Sequence, residues 1–233
     1  MRSTKPRSTI KLLLAAIICL MAITLPCQSW ASTEGRIRDC ARAVREMSRE
    51  RDSDTMRDLL RSSHGVAIFP SVVKAGLGIG GKYGEGILLR HDPHTDRWYG
   101  PSFVNVAGLS WGLQIGVQST ALVLVINNRP GIEAFEGDKI TLGADVAVAA
   151  GPVGRRAEAG TDSSLKASIY SYSMSKGLFA GLSLEGAVIS TEHDTNRAYW
   201  GRKMSVQEIL SHRASGSKMA PLLKVLREVS RPR

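Results

Sequence analysis

The sequence contains few cysteine residues and few aromatic ones. Its 233 residues include three Cys, four Phe, four Trp and five Tyr. Because Cys19 and Cys27 fall within the first 31 residues, Cys40 is the only thiol of the remainder, which therefore has no internal disulfide. We expect this lone thiol on the buried face of a helix. A transmembrane β-barrel is the architectural alternative, but such barrels carry aromatic girdles at both interfaces, and this chain has few aromatic side chains.

Acidic residues are absent from the first 31 positions, where four basic residues precede an apolar run from Leu12 to Leu25. The basic residues are Arg2, Lys5, Arg7 and Lys11. Ser29 and Ala31 supply small side chains before a cleavage point. This pattern predicts a secretory signal peptide over residues 1–31, with export to the periplasm or beyond. Cys27 leaves a lipoprotein as an alternative, which Pro26 disfavours because it stands where a small residue is needed.

Residues 32–233 have the length of a single domain and a moderate excess of positive charge. The leader contains four of the 31 basic residues and none of the 21 acidic ones, so its removal leaves a net charge of +6. Apolar residues recur every three or four positions in an N-terminal helical segment, 33–64, and in a C-terminal tail, 205–230. Between them, glycine punctuates the short apolar runs of a β body, 65–201. We predict an α+β fold with a strongly twisted antiparallel β-sheet, or partly closed barrel, and helices at both ends.

Local patterns add narrower expectations. Val66–Phe69 is predicted to be a short strand that Pro70 ends, and Leu178–Ile189 is predicted to be another strand. Arg36 falls on the polar face of the first helix. The terminal helix is expected to dock its apolar face against the sheet.

Two segments of the β body resemble each other. Residues 74–100 and 175–201 both contain, in order, a Lys near the start, a glycine-rich stretch, a polar His-Asp segment, an Arg, paired aromatic residues and a final Gly. Such similarity predicts one supersecondary unit used twice. The repeated unit indicates a scaffold with a binding surface, and it contains no recognisable reaction centre.

Three motifs suggest chemistry, and each lacks the context that the chemistry needs. Gly76, Gly78 and Gly81 match the dinucleotide-binding pattern, but the residues that follow cannot form the required helix. Ser110 has the spelling of a nucleophile elbow, yet the residues after it alternate like a strand. His91–Asp96 is dense in possible metal ligands, although these residue types also build polar hairpin loops. We predict no catalytic residue, no metal ligand and no cofactor, with a hydrolase centred on Ser110 as the enzymatic alternative.

Basic and aromatic side chains are the remaining candidates for a functional surface. The candidates for binding lipid phosphate in the β body are Lys74, Lys82, Arg155, Arg156, Lys166 and Lys176. The candidates for membrane contact are Trp98, Tyr99, Tyr199, Trp200, Lys218, Lys224 and Arg227. Tyr and Trp join an apolar ring to a polar tip, which suits a lipid headgroup layer. Each cation near an anionic surface contributes at most about 1 kcal/mol, so the predicted attachment is salt-sensitive.

Several strings of the sequence resemble the SYLF domain family. They are Gly65–Pro70, Lys74–Gly86, Leu142–Asp145, Gly151–Arg155 and Tyr170–Gly186. The resemblance covers about residues 39–201 and implies a lipid-binding domain. Eukaryotic members bind phosphoinositides, and some fungal members bind and bundle actin. This chain differs from the eukaryotic pattern in its predicted leader and in having no appended Src-homology or FYVE module.

The sequence therefore predicts a non-enzymatic, exported domain that binds an anionic lipid or membrane surface. A structural or assembly protein of the bacterial envelope, which binds another protein, is the alternative. Export argues against actin as the partner. The modest charge and the absence of a readout motif argue against nucleic acid.

Overall fold

The computed structural model describes residues 32–50, 53–151, 167–175, 178–179 and 183–231; the side chains of residues 77–79, 110–116 and 178–179 are outside that description. The predicted leader lies outside the described residues. So do four of the candidate cations, namely Arg155, Arg156, Lys166 and Lys176.

Helices and strands are largely segregated along the chain, as in α+β proteins, with helices before and after the strands. The helices are α1 (Thr33–Met47), α2 (Asp54–Ser62), α3 (Arg129–Glu133), α4 (His193–Trp200), α5 (Val206–Ser211) and α6 (Ala220–Ser230). The strands are β1 (Gly65–Asp92), β2 (Arg97–Ile126), β3 (Lys139–Thr141), β4 (Val148–Ala150), β5 (Ile169–Ser175), β6 (Leu178–Phe179) and β7 (Val188–Thr191). One 3-10 turn, Ala134–Glu136, follows α3.

A single long hairpin forms most of the sheet. β1 and β2 pair antiparallel from Gly65 opposite Ile126 to Asp92 opposite Arg97. Residues 93–96 make the turn that the sequence predicted for this polar segment. The predicted end of the first strand at Pro70 is wrong, because β1 continues past it. A register shift between Phe69 and Val72 accommodates the proline, which cannot donate a ladder hydrogen bond.

Strand β1 doubles back on itself, so that its two halves face each other. Side chains added to several glycines would collide with the backbone or the side chains of the opposite half. The facing pairs are Gly65 with Leu89, Ile68 with Gly86, Ser71 with Gly84 and Ala75 with Gly80. A Cβ on Gly86, for example, would lie 2.5 Å from the Ile68 carbonyl oxygen. The pairs converge on residues 77–78, so the paired strands fold over there; we call residues 72–84 and 106–120 the hairpin bend.

The other strands of the sheet join it through the edge of β2 that does not pair with β1. Ala121–Ile126 pairs with β5, and Val104–Ala107 pairs with β7. β3 extends the sheet beyond β7, and β4 lies parallel to β5. The result is a strongly curled half-barrel with N-terminal helices and a C-terminal helix, which confirms the predicted fold class.

Away from the hairpin bend, both faces of the paired strands are buried, each in its own hydrophobic core. Alternate residues of β1 and β2 point to opposite sides, so Ile68 and Phe69 belong to different cores. One core lies beneath α1, α2 and α6, and the other lies beneath α3, α5 and β7. Burial on both faces explains why Gly65–Phe69 and Ala121–Ile126 are continuous apolar runs instead of alternating ones.

The terminal helix α6 packs on α1 and α2, and its apolar side chains share one core with residues of β1, β2 and β5. Its buried side chains are Leu222, Leu223, Val225, Leu226, Val229 and Ser230. Cys40 lies in the same core, as predicted, and its Sγ donates a hydrogen bond to the Ile68 carbonyl 3.4 Å away. Burial raises the pKa of the Cys40 thiol far above its usual range.

The predicted repeat does not form two equal units. Residues 90–100 contain the hairpin turn and the start of β2, whereas the corresponding part of the second segment forms helix α4. A strand follows Gly100, but after Gly201 the chain enters α5, which Ser205 caps through the Glu208 amide. Among the described residues after Gly201, no strand is therefore available to form a second hairpin. The predicted strand Leu178–Ile189 is also interrupted, by a turn at Glu185 and Gly186.

Candidate functional site

The aromatic pair Trp98 and Tyr99 lies at the start of β2. Trp98 is only 3% exposed, and its ring stacks on His91 with 4.1 Å between ring centroids. Tyr99 is half-buried beneath the Arg90 guanidinium, whose central carbon is 3.8 Å from the ring centroid. Trp98 thus belongs to the core in this structure, and membrane contact by its ring would require the core to open.

The second aromatic pair holds helix α4 against the start of β2. The Tyr199 ring lies 5.3 Å from that of Phe103, and burial raises the pKa of Tyr199. The Trp200 indole nitrogen donates to the Pro101 carbonyl at 3.1 Å. Both side chains are half-buried, so much of their surface packs against the protein and is not exposed to a membrane.

The three cations predicted in the tail face solvent, opposite the docked apolar face of α6 or just before it. Lys218 pairs with Glu34 of α1 at 3.3 Å, and Lys224 approaches Glu228 at 3.9 Å. Arg227 is exposed as well. Because the apolar side of α6 is already buried, only its charged face is exposed, and that face includes the acidic residue Glu228 beside Lys224.

Lys74 and Lys82, the two described lysines of the β body candidates, both lie on the hairpin bend. Lys82 is 5% exposed, and its Nζ donates to the Ser183 carbonyl at 2.5 Å. Burial, followed by the charge of Lys74, lowers the pKa of Lys82. Lys74 is half-buried and makes no ion pair with any described residue. Neither lysine forms an ion pair with a described residue, and the carboxylate next to the bend, Glu85, pairs with Arg36.

The hairpin bend also exposes apolar side chains, a feature that our reading of the sequence missed. The large hydrophobic residues that are exposed in the described part of the chain are Tyr83, Leu109 and Val117, at 49, 68 and 77%. All three lie on the bend. Neither residues 65–84 nor residues 98–132 contain Asp or Glu, and this absence was a detectable signal in the sequence.

A buried ion cluster lies on the side of the body next to α1. Arg36 is almost fully buried and donates to both carboxylate oxygens of Glu192 at 2.9 Å, as well as to Glu85. Its guanidinium also faces the Phe103 ring, 5.5 Å from the centroid. The sequence placed Arg36 on the polar face of the first helix, and the structure buries it there because Glu85 and Glu192, from distant segments, pair with it. The cluster joins α1, β1 and the start of α4.

The three motifs that suggested chemistry lie in the strands of the hairpin or in the turn between them. The glycines from Gly76 to Gly81 lie within β1, as a glycine-bent strand was expected to do, and Ser110 lies within β2, which continues as a strand to Ile126. His91 is buried, with Nδ1 at 2.9 Å from the Ser63 carbonyl oxygen and Nε2 at 3.3 Å from Asp96. Among the described residues, no three His, Cys, Asp or Glu side chains are grouped as metal ligands would be.

A family model described as "Ysc84: Las17-binding protein actin regulator" matches residues 107–229, which is more than half of the chain. The chain belongs to the Ysc84 family. This match confirms the SYLF resemblance that the sequence strings suggested.

Curated relatives support the assignment to the Ysc84 family. The SH3 domain-containing YSC84-like protein 1 of Xenopus laevis is 38% identical over 145 residues, which cover 62% of this chain and 43% of the relative. The LAS seventeen-binding protein 3 of Saccharomyces cerevisiae is 36% identical over 173 residues, which cover 72% of this chain and 37% of the relative. This chain thus spans less than half the length of these relatives.

The Ysc84 match begins on the hairpin bend and ends in α6. It includes Leu109 and Val117, while Lys74 and Tyr83 lie before it. Among the helices of the described ranges, none combines the length and the apolar content needed to cross a bilayer.

Proposed function

We propose that this Ysc84 family member is an exported, non-enzymatic domain that binds anionic membrane surfaces. The observation that carries this proposal is charge: residues 32–233 have a net charge of +6. The SYLF resemblance, which implies lipid binding, supports the same function. Because the apolar face of α6 is docked on α1 and α2, attraction between surface charges contributes more than insertion of that helix.

Vesicle co-sedimentation tests the proposal. The protein, purified from cells that express the full chain, is mixed with phosphatidylcholine vesicles that contain or lack phosphatidylglycerol. We expect it to sediment with the anionic vesicles and to be released between 0.1 and 1 M salt, as the Debye length falls from about 10 to about 3 Å. Equal sedimentation with neutral and anionic vesicles would count against the proposal.

The proposed location depends on the leader. The positive n-region, the apolar run and Ala31 support cleavage that leaves Ser32 as the first residue. N-terminal sequencing of the protein from an envelope fraction should give Ser32. A chain that begins at a lipidated Cys27 would make the protein a lipoprotein, and an intact Met1 would contradict export.

A second candidate function is assembly with another envelope protein. Its support is the description of the family and of the yeast relative, both of which name a protein partner. Residues 108–120 of β2 pair with β1 along one edge, and no described strand pairs with their other edge. That second edge also supports contact with a protein. Export would separate the protein from actin, so we propose a partner within the envelope. Co-purification of one protein after delipidation, with no vesicle binding, would favour this candidate.

A further inference from the structure

We propose that the hairpin bend is the part of the molecule that enters the membrane interface, with Leu109, Val117 and Tyr83 among the lipid headgroups and Lys74 beside them. This inference rests on the proposed lipid binding and assigns it to a surface. It places α6 and the two aromatic pairs away from the bilayer.

The exposed side chains of the bend have the chemistry of an interfacial contact. Leu109 and Val117 both lie on the β2 arm, where they are more than two-thirds exposed to water. Their ladder partners on β1 are the small residues Gly81 and Ala75, which cannot cover them. Tyr83 lies opposite Ala107 on the same bend and adds an amphipathic ring of the kind found at membrane interfaces. Transfer of these groups out of water favours binding in proportion to the apolar area that is removed.

The charges of the bend complement an anionic surface. Both of its arms lack Asp and Glu, and the long acid-free stretches 65–84 and 98–132 extend well beyond it. Lys74 has no ion-pair partner among the described residues, so its ammonium is available to a phosphate. The face of α6 differs, because there Glu228 lies beside Lys224. Glu85 follows the bend and accepts a hydrogen bond from the Tyr83 hydroxyl at 3.4 Å, but it also forms an ion pair with Arg36, which neutralises its charge. An anionic bilayer that approaches Lys74, Leu109 and Val117 therefore meets no carboxylate of the two arms.

The backbone limits how deeply the bend can enter. Residues 108–120 of β2 form ladder hydrogen bonds with β1 on one side, and no described strand pairs with their other edge. An open sheet edge in hydrocarbon would leave peptide groups without hydrogen-bond partners, at a cost of several kcal/mol each. Headgroups and their water satisfy such groups. The bend should therefore stay within the headgroup layer and not cross into the hydrocarbon core.

An environment-sensitive dye, attached at one position per protein, tests whether the hairpin bend or α6 contacts the membrane. Cys40 is buried, so after removal of the leader with its two cysteines, a new surface thiol can be labelled selectively. Nitrobenzoxadiazole is attached through Leu109→Cys in one protein and through Lys224→Cys in the matched control. With phosphatidylglycerol vesicles, we expect the emission of the dye at position 109 to rise and shift to shorter wavelength. The dye at position 224 should report water throughout.

Substitutions provide a second readout. Leu109→Asp combined with Val117→Asp should weaken sedimentation with anionic vesicles at least about tenfold, because apolar burial is lost and two anions are added. Lys74→Gln should weaken it about fivefold, and Lys224→Gln by less than about twofold. All these positions are exposed or half-exposed, so circular dichroism and the unfolding midpoint should stay close to those of the wild type. If the double variant does not fold, the dye at position 109 decides.

The outcomes separate this inference from the proposed function. If the wild-type protein ignores anionic vesicles, the proposed function itself fails. If the wild type binds, but the dye at position 109 reports only water and Lys224→Gln weakens binding as much as Lys74→Gln, the inference is overturned while lipid binding stands. If the double variant keeps vesicle binding but loses a co-purifying envelope protein, the bend is a protein interface, and the inference is again overturned.

Discussion

The terminal helix α6 and the hairpin bend both combine apolar residues with lysine, but the fold treats them in opposite ways. Leu226 of α6 is 1% exposed, whereas Leu109 of the bend is 68% exposed. Lys224 has Glu228 beside it, whereas Lys74 has no described ion-pair partner. An amphipathic pattern therefore does not identify a free surface by itself, because the apolar face of a helix such as α6 is packed in the protein's own core.

Deletion of apolar groups should give the largest difference between these regions. Leu226→Ala is expected to lower the free energy of unfolding by about 2–5 kcal/mol, because it leaves a cavity beneath α6. Leu109→Ala should change it by no more than about 0.5 kcal/mol, since that side chain is already in water. Urea unfolding followed by circular dichroism measures both. Equal losses would show that Leu109 is buried in solution and would contradict the comparison.

Glycine substitutions sharpen the boundary between the bend and the core. A Cβ on Gly86 would lie 2.5 Å from the Ile68 carbonyl oxygen and meet the Phe69 ring, so Gly86→Ala should cost about 1–3 kcal/mol. Nothing lies within 4 Å of a Cβ on Gly81, and Gly81→Ala should be neutral or slightly stabilising. The pair is compared by urea unfolding. A neutral Gly86→Ala would argue against the close approach of the two halves of β1.

The smallest expected effect is a difference in thiol reactivity between the core and the hairpin bend. Cys40 is buried between α1 and β1, and burial raises the pKa of its thiol, so the native protein should react slowly with a thiol reagent at neutral pH. The Leu109→Cys variant should react at the rate of an exposed thiol. Because the folded state retains the Cys40 proton, its contribution to stability is complete below the ordinary pKa of 9.0 and is lost as pH rises above it. Rapid native labelling of Cys40 would indicate local opening of α1.

Much of the local structure could be predicted, because nearby residues decide it. The spacing of Ile37, Cys40 and Val44 predicted α1, and Pro221 with Leu222 and Leu226 predicted α6. The polar residues 93–96 predicted the turn between the long strands. By contrast, the end of the first strand was placed wrongly at Pro70, because a bulge in a two-stranded ladder can absorb a proline.

The exposure of the candidate residues was harder to predict, since burial depends on contacts between distant segments. Trp98 and Tyr199 were proposed as membrane contacts, but both pack against core residues. Trp98 stacks on His91 across the hairpin turn, and Tyr199 packs on Phe103, which is distant in sequence. Arg36 was predicted only to lie on a polar helix face; its burial could not be predicted, because its partners Glu85 and Glu192 lie 49 and 156 positions away. The exposure of Leu109 and Val117 follows from the fold of the hairpin, which no local pattern reveals.

By itself, the amino-acid order determined the α+β class, the helices at both ends, the positive charge and the SYLF resemblance, because periodicity, composition and motif strings are properties of the chain. The tertiary structure alone decided which apolar groups remain in water and which cations lack a carboxylate. The glycines of β1 let its two halves approach closely, and that approach folds the hairpin, buries its ends and exposes its bend.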